Sequence, residues 1–192
     1  MSGVWATRRA VGAADDAAVR AVNLAAFPTA LEADIADALR ADGDLVGAWL
    51  ALASPTGETV GPQPEAGSGR HEASPLTPAG AEFGGVPVGV AVLSRCWVGA
   101  VPVLALGPCA VLPAYQRRGA GGAAIRAALA TVGETPVIVL GHAAYYPRFG
   151  FVPASRHGIR APFPVPDENL MVLAGGGSVP SGTVRWAPAF GG

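Results

Sequence analysis

"YQRRGAGGAAIRAALA", residues 115–130, places two bulky cations and a cluster of glycines directly ahead of an alanine-rich run. The run continues as "AAIRAALATV" (123–132), whose apolar spacing predicts a helix. Upstream, "VPVLALGPCAVL" (101–112) is valine-rich and closes at Pro113, which predicts a strand ending at Leu112. A strand thus feeds a glycine loop that opens a helix near Gly119. The first N–H groups of a helix have no carbonyl behind them, and the helix dipole is positive there. Glycine at 119 and 121 permits close approach by a ligand and unusual dihedrals, and Arg117 and Arg118 add charge at the rim. Two readings stand: a cradle for an anion such as pyrophosphate, or a glycine-rich helix start with solvated arginines. A P-loop is excluded because it needs lysine and the chain has none. The dinucleotide fingerprint needs G-x-G-x-x-G after a first strand, with an acidic residue about 20 positions on, and neither condition is met.

Working outward, "VWATRRAV" (4–11) predicts a first strand. "DDAAVRAVNLAAF" (15–27) predicts a helix capped by Asp15 or Asp16, with Val19, Val22 and Ala26 on one face and Pro28 as its end. "TALEADIADALRADG" (29–43) predicts a second helix, with Thr29 as cap, Gly43 as stop and Leu31, Ile35 and Leu39 as its apolar stripe. "LVGAWLALA" (45–53) is apolar throughout, as for a strand buried on both faces. Residues 54–86 are dense in Pro, Gly and Ser, and predict an insertion that is either mobile or a lid, with His71 solvated. "VPVGVAVLSRCWV" (86–98) pairs with the strand at 101–112 through a tight turn at Gly99-Ala100. "VIVLG" (137–141) is a short buried strand, "HAAYYPRFG" (142–150) a helical turn broken at Pro147, and "FVPAS", "NLMVLAG" and "GTVRWAPAF" supply the last strands. No internal repeat is present. This order predicts an α/β domain, a mixed sheet with helices on both faces.

Composition agrees. In 192 residues, hydrophobic residues make up 51% and charged residues 14%, which excludes a disordered chain. Arginine supplies all 13 basic residues against 14 acidic ones, so the net charge of −1 offers no general attraction for nucleic acid or an anionic membrane. Cys96 and Cys109 form neither a disulfide framework nor a metal spacing, so reduced thiols, no metal and a cytoplasmic location are expected. "MSGVWATRRAVGAADD" reads as no signal peptide, and no unbroken apolar run reaches membrane-spanning length. Blander readings apply to several conspicuous side chains. Cys109 reads as a small buried hydrophobe rather than an acyl carrier, and His142 as a turn residue rather than a base. Phe149 and Phe151 read as core, and Trp5, Trp49, Trp97 and Trp186 as scattered packing.

"Gln116-x-x-Gly119-x-Gly121", preceded by "AVLPAY" and followed about 25 residues on by "GHAAYYPRFGF", resembles the paired signature of the GNAT acetyltransferase superfamily. Together with the tail "GTVRWAPAF", the pair looks most like the YhbS-like branch of N-acetyltransferases. The resemblance spans most of the chain outside residues 54–86. It implies one domain over residues 1–192, built on a mixed, partly parallel twisted sheet of six to seven strands flanked by about four helices. It implies acetyl transfer from acetyl-CoA, as co-substrate, to a primary amine. Cys109, Ala110 and Val111 would offer backbone groups to the pantetheine arm. The loop Gln116, Arg117, Arg118, Gly119, Ala120 and Gly121 would bind the pyrophosphate. Tyr146 falls at the tyrosine of "Y-x-x-x-G-F", which protonates the leaving thiolate in many members, and the adjacent Tyr145 could exchange roles with it.

The chain departs from the pattern in two places. Val139 stands where many members have asparagine, and "VLALGPCAVL" (103–112) lacks the glutamate that many use as base. The base is then a water or a carboxylate such as Glu32 or Asp34. The acceptor is a small-molecule or peptide amine, with no nucleic acid or membrane partner expected and a homodimer left open. Two rivals stand beside this reading: a GNAT domain that binds CoA as a sensor or scaffold without catalysis, and a nucleotide-binding regulatory module.

Overall fold

The computed structural model describes residues 5–54 and 85–191, so the expectations for the insertion and for His71 lie outside the described residues. The first strand, β1, covers Ala6–Arg9, followed by α1 (Gly12–Ala26), α2 (Leu31–Ala41) and β2 (Leu45–Ala53). Then come β3 (Val86–Val98), β4 (Val101–Val111), α3 (Ala120–Leu129) and β5 (Val137–Leu140). The short strands β6 (Val152–Pro153), β7 (Ile159–Arg160), β8 (Leu170–Leu173) and β9 (Gly182–Trp186) complete the sheet. The described residues hold three α-helices rather than about four, and several single 3-10 turns, one of them at Tyr146–Phe149, take up the difference.

Seven strands form a continuous path in the order β1-β2-β3-β4-β5-β8-β6. Along it every pair is antiparallel except β4 and β5. The β3–β4 hairpin closes through two residues between Val98 and Val101, and Gly99 takes the positive φ of 59° that so tight a turn requires. β9 continues the β2 edge of β3: β2 pairs as far as Ser94, and β9 takes over from Cys96 to Val98.

Side-chain alternation along β2 sorts the two faces. Ala48, Leu50 and Leu52 meet Val19, Val22, Ala36 and Leu39 of the first two helices. Trp49, Ala51 and Ala53 belong to the opposite layer with Ala124, Ile125 and Ala128 of α3. This explains why β2 is buried on both sides.

Two details of the helices differ from expectation. Asp15 is not the first residue of α1. The helix starts at Gly12, and the Asp15 carboxylate accepts the Val11 N–H at 2.8 Å from one turn inside. The buried face of α2 is Ala33, Ala36 and Leu39, while Leu31 is 60% exposed. Ala36 and Leu39 pack with Val19 and Val22 of α1, and Ile35 is partly buried beside them, so the expected stripe fails only at Leu31. No described helix is long and apolar enough to cross a membrane.

Candidate active site

The site begins where β4 and β5 part. These parallel strands pair only at Leu104–Val137 and Ala105–Ile138. Beyond that point β4 continues to Val111 against β3 alone, and β5 continues to Leu140 against β8 alone. An extra residue in β4 marks the parting: Ala91 faces Cys109, but Leu93 faces Leu106. This bulge contains Gly107 and Pro108, the residue types a regular inner strand tolerates least. The departing strands leave the far half of β4 with a free backbone edge.

A cleft of about 1490 Å³ opens there. Every residue proposed from sequence for acetyl-CoA binding and as the general acid lines it: Cys109, Ala110 and Val111 from β4, Gln116, Arg117, Arg118 and Gly119 from the loop, Ala120 and Gly121 from α3, and Tyr146. The loop has a defined shape. Gln116 donates its side-chain amide to the Val111 carbonyl at 3.2 Å, tying the loop to the end of β4. Arg117 takes a left-handed φ of 59°, and Gly119, the N-cap of α3, one of 96°. No side chain caps this helix, so the N–H groups of its first turn are left for a ligand. At Gly121 a Cβ would stand 2.9 Å from Cγ2 of Val111 and 3.4 Å from the Tyr145 hydroxyl. Only glycine keeps this narrow place between strand, helix and tyrosine open.

Charge in the cleft is one-sided. Arg117, Arg118, Arg126 and Arg148 line it, and among the described residues no carboxylate does. Among the described residues none of the four has an ion-pair partner. Aromatic rings hold three of them instead: Arg148 lies 4.5 Å from the Tyr145 ring centroid, Arg126 5.3 Å from that of Phe149 and Arg118 6.0 Å from that of Tyr115. Uncompensated guanidinium groups beside free amides suit a ligand carrying several negative charges.

Tyr146 and Cys109 line the cleft together, close enough for each to shift the other's titration. Burial pushes the Tyr146 hydroxyl above the usual tyrosine range, with the neighbouring thiol adding to the effect, so it stays protonated. Burial likewise pushes the Cys109 thiol up to about 12, which keeps it a thiol and not a nucleophilic thiolate. The Tyr146 ring is set edge-on against Tyr145 at 5.2 Å and Phe151 at 5.8 Å. Phe149 is therefore not only core: its face carries Arg126, while Phe151 is 2% exposed and packs as expected.

Glu32 and Asp34 do not line this cleft. Asp34 pairs with Arg20 at 2.9 Å, and one Glu32 oxygen is shielded from solvent with no hydrogen-bond partner. Sequence reading passed over Thr7, Arg126 and Arg148 and took Trp5 for packing rather than pocket lining, yet all four line the cleft. Arg126 and Arg148 follow the glycine loop and the tyrosine pair closely enough to have been suspected. Trp5 had no local signal. Among the described residues, no group of three or more His, Cys, Asp or Glu side chains is placed to hold a metal ion.

Comparison with known proteins agrees with this geometry. The chain belongs to the acetyltransferase (GNAT) family, whose model matches residues 38–151, more than half of its length. No curated protein matches it. Among solved structures, the GNAT N-acetyltransferase YhbS of Escherichia coli, determined in complex with CoA, superposes with a TM-score of 0.74 at 21% identity, covering 100% of this chain and 94% of that one. A GNAT acetyltransferase from Brucella melitensis in complex with acetyl-CoA gives 0.67 at 27% identity, covering 97% of each chain. The histone acetyltransferase HPA2 and related acetyltransferase from Corynebacterium glutamicum gives 0.56 at 17% identity, covering 90% and 96%. The likeness to YhbS and to the C. glutamicum protein is one of fold.

Proposed function

We propose that this member of the GNAT family moves an acetyl group from acetyl-CoA to a primary amine, with Tyr146 as the general acid, and that residues 1–192 act as one domain. One observation carries the reading. The amide-rich, arginine-rimmed loop and the protonated Tyr146 hydroxyl line the same cleft, and the free edge of β4 lies between them. Cys109, Ala110 and Val111 on that edge would present backbone groups to the pantetheine arm. Gln116 to Gly121 would hold the pyrophosphate through backbone N–H groups, with Arg117 and Arg118 adding charge.

Acetyl-CoA supplies the thioester. The acceptor must reach it as a neutral amine, since an alkylammonium has a pKa of about 10.4 and no lone pair to donate. Backbone N–H groups of β4 would stabilise the carbonyl oxygen as it gains charge. As the new N–C bond forms and the C–S bond breaks, Tyr146 would give its proton to the departing sulfur and recover one from the acetylated nitrogen through solvent. Among the described residues no carboxylate lines the cleft, and water would take the amine proton.

The test is an acetyl-CoA turnover screen over a library of amines, read by release of free thiol. Amine-dependent release confirms transfer. Tight CoA binding with no release for any amine would favour the sensor reading, for which the lack of a carboxylate among the described cleft residues is the supporting observation.

A further inference from the structure

Trp5 stands 113 positions from the glycine loop in sequence, yet its indole Nε1–H donates to the Arg118 carbonyl at 2.8 Å. The residue is 9% exposed and packs in the α3-side layer of the core. β1 puts it there by simple alternation. Trp5, Thr7 and Arg9 face the α3 side, where Arg9 covers Trp49, while Arg8 faces the other side and pairs with Asp15 of α1. β1 runs antiparallel to β2, with Ala6 opposite Leu52, and this register brings the indole beside the loop. A Cβ at Gly119 would lie 3.4 Å from Nε1, so the loop and the indole are in contact along its edge. Tyr115 meets the same indole edge-on at 6.2 Å.

The geometry points to Trp5 as a positioning residue for the pyrophosphate loop, a role that rests on the proposed acetyl-CoA reading. A trans peptide unit is planar, with its C=O and N–H directed oppositely. Holding the Arg118 oxygen therefore also fixes the direction of the Gly119 N–H, the first donor of the cradle. The loop needs such a tether. Gly119 at φ 96° lies where glycine moves freely, so the 118–119 peptide unit can rotate at little cost. Arg117 at φ 59° strains the other side of the turn. An indole donor lodged in the core selects one rotation of that unit before the ligand arrives, which removes an ordering cost from binding.

The test compares CoA with pantetheine, which keeps the arm but lacks the pyrophosphate. Both are titrated into 15N-labelled protein by NMR, for wild type, Trp5→Phe and the packing control Trp49→Phe. In Trp5→Phe the Kd for CoA should rise about tenfold while that for pantetheine stays unchanged, the size expected for loss of one well-aimed donor. Trp49→Phe should alter neither. An equal loss for both ligands, or no loss, overturns the proposal. A wild type that binds pantetheine as tightly as CoA overturns the pyrophosphate reading itself, and Trp5's role with it. Should Trp5→Phe fail to fold, the wild-type indole N–H signal of Trp5 decides. It should shift on saturation with CoA and not with pantetheine, and a signal unmoved by bound CoA overturns the proposal.

Discussion

The ring of Tyr146 rests directly on Gly141: a Cβ at that glycine would come 2.4 Å from Cε2 of the tyrosine. Gly141 ends the strand that parts from β4, and its N–H is held by the Asn169 carbonyl at 2.9 Å, so it cannot retreat freely. Gly141→Ala should therefore push the Tyr146 hydroxyl off the cleft floor. Turnover is expected to fall about 10²-fold, the cost of misplacing a reacting group by roughly an ångström. CoA affinity should remain, because the pyrophosphate loop lies elsewhere in the cleft. Calorimetry beside thiol-release kinetics would check both halves.

Tyr146→Phe keeps the ring and removes the proton. The expected loss in turnover is about 10²-fold, with the Kd for CoA almost unchanged. Tyr145→Phe should cost less, since the Tyr145 hydroxyl lies 3.4 Å from where a Gly121 Cβ would stand, beside the glycine loop. Full turnover in Tyr146→Phe with loss in Tyr145→Phe would assign the proton to the wrong neighbour.

The raised pKa of Tyr146 has a pH consequence of definite sign. The acid form is the active one, and it persists at every pH below the raised value. The rate should climb as the acceptor amine loses its proton toward about 10.4, with no falling limb below the ordinary tyrosine value of about 10. A pH profile that turned downward below about 9 would remove Tyr146 from the role.

Gly121→Val places a branched side chain between Val111 and the Tyr145 hydroxyl, where one Cβ is already at 2.9 Å. CoA binding should drop by at least about tenfold, since the chain must shift or the ligand must stand off the amides. Unchanged affinity in a folded variant would refute the cradle.

Asp15 tests the frame rather than the site. Its two oxygens accept from Arg8 and from the Val11 N–H, and these contacts hold its pKa below the usual carboxylate range. A depressed folded pKa stabilises above the unfolded value of about 3.9, and the gain is lost as pH falls through the folded value. Asp15→Asn should cost about 1–2 kcal/mol at neutral pH, discounted because Arg8 is partly exposed. The difference from wild type should shrink below pH about 4. Denaturant melts at neutral and acidic pH would show it.

Much of this protein was legible in its residues because the signals were local. The strand–glycine loop–helix at 101–130 and the tyrosine of "YPRFGF" depend on spacing of a few positions, and both line the cleft. Boundaries and faces were less legible. Asp15 looks like a helix start but caps from inside, and of the expected α2 stripe Leu39 is buried and Ile35 packs beside it while Leu31 is exposed.

What the sequence by itself determined was the inventory: which segments are strand or helix and which loop has the form of an anion cradle, while Tyr146 was singled out by the resemblance to the GNAT superfamily. Only the tertiary structure decided where β4 and β5 separate, that Tyr146 and Cys109 line one cleft, and that Trp5 reaches across to the Arg118 carbonyl. Spacing of a few residues is governed by backbone geometry and can be read along the chain. A contact across 113 positions depends on which edge a strand takes and in what register, and those are settled by the packing of the whole sheet.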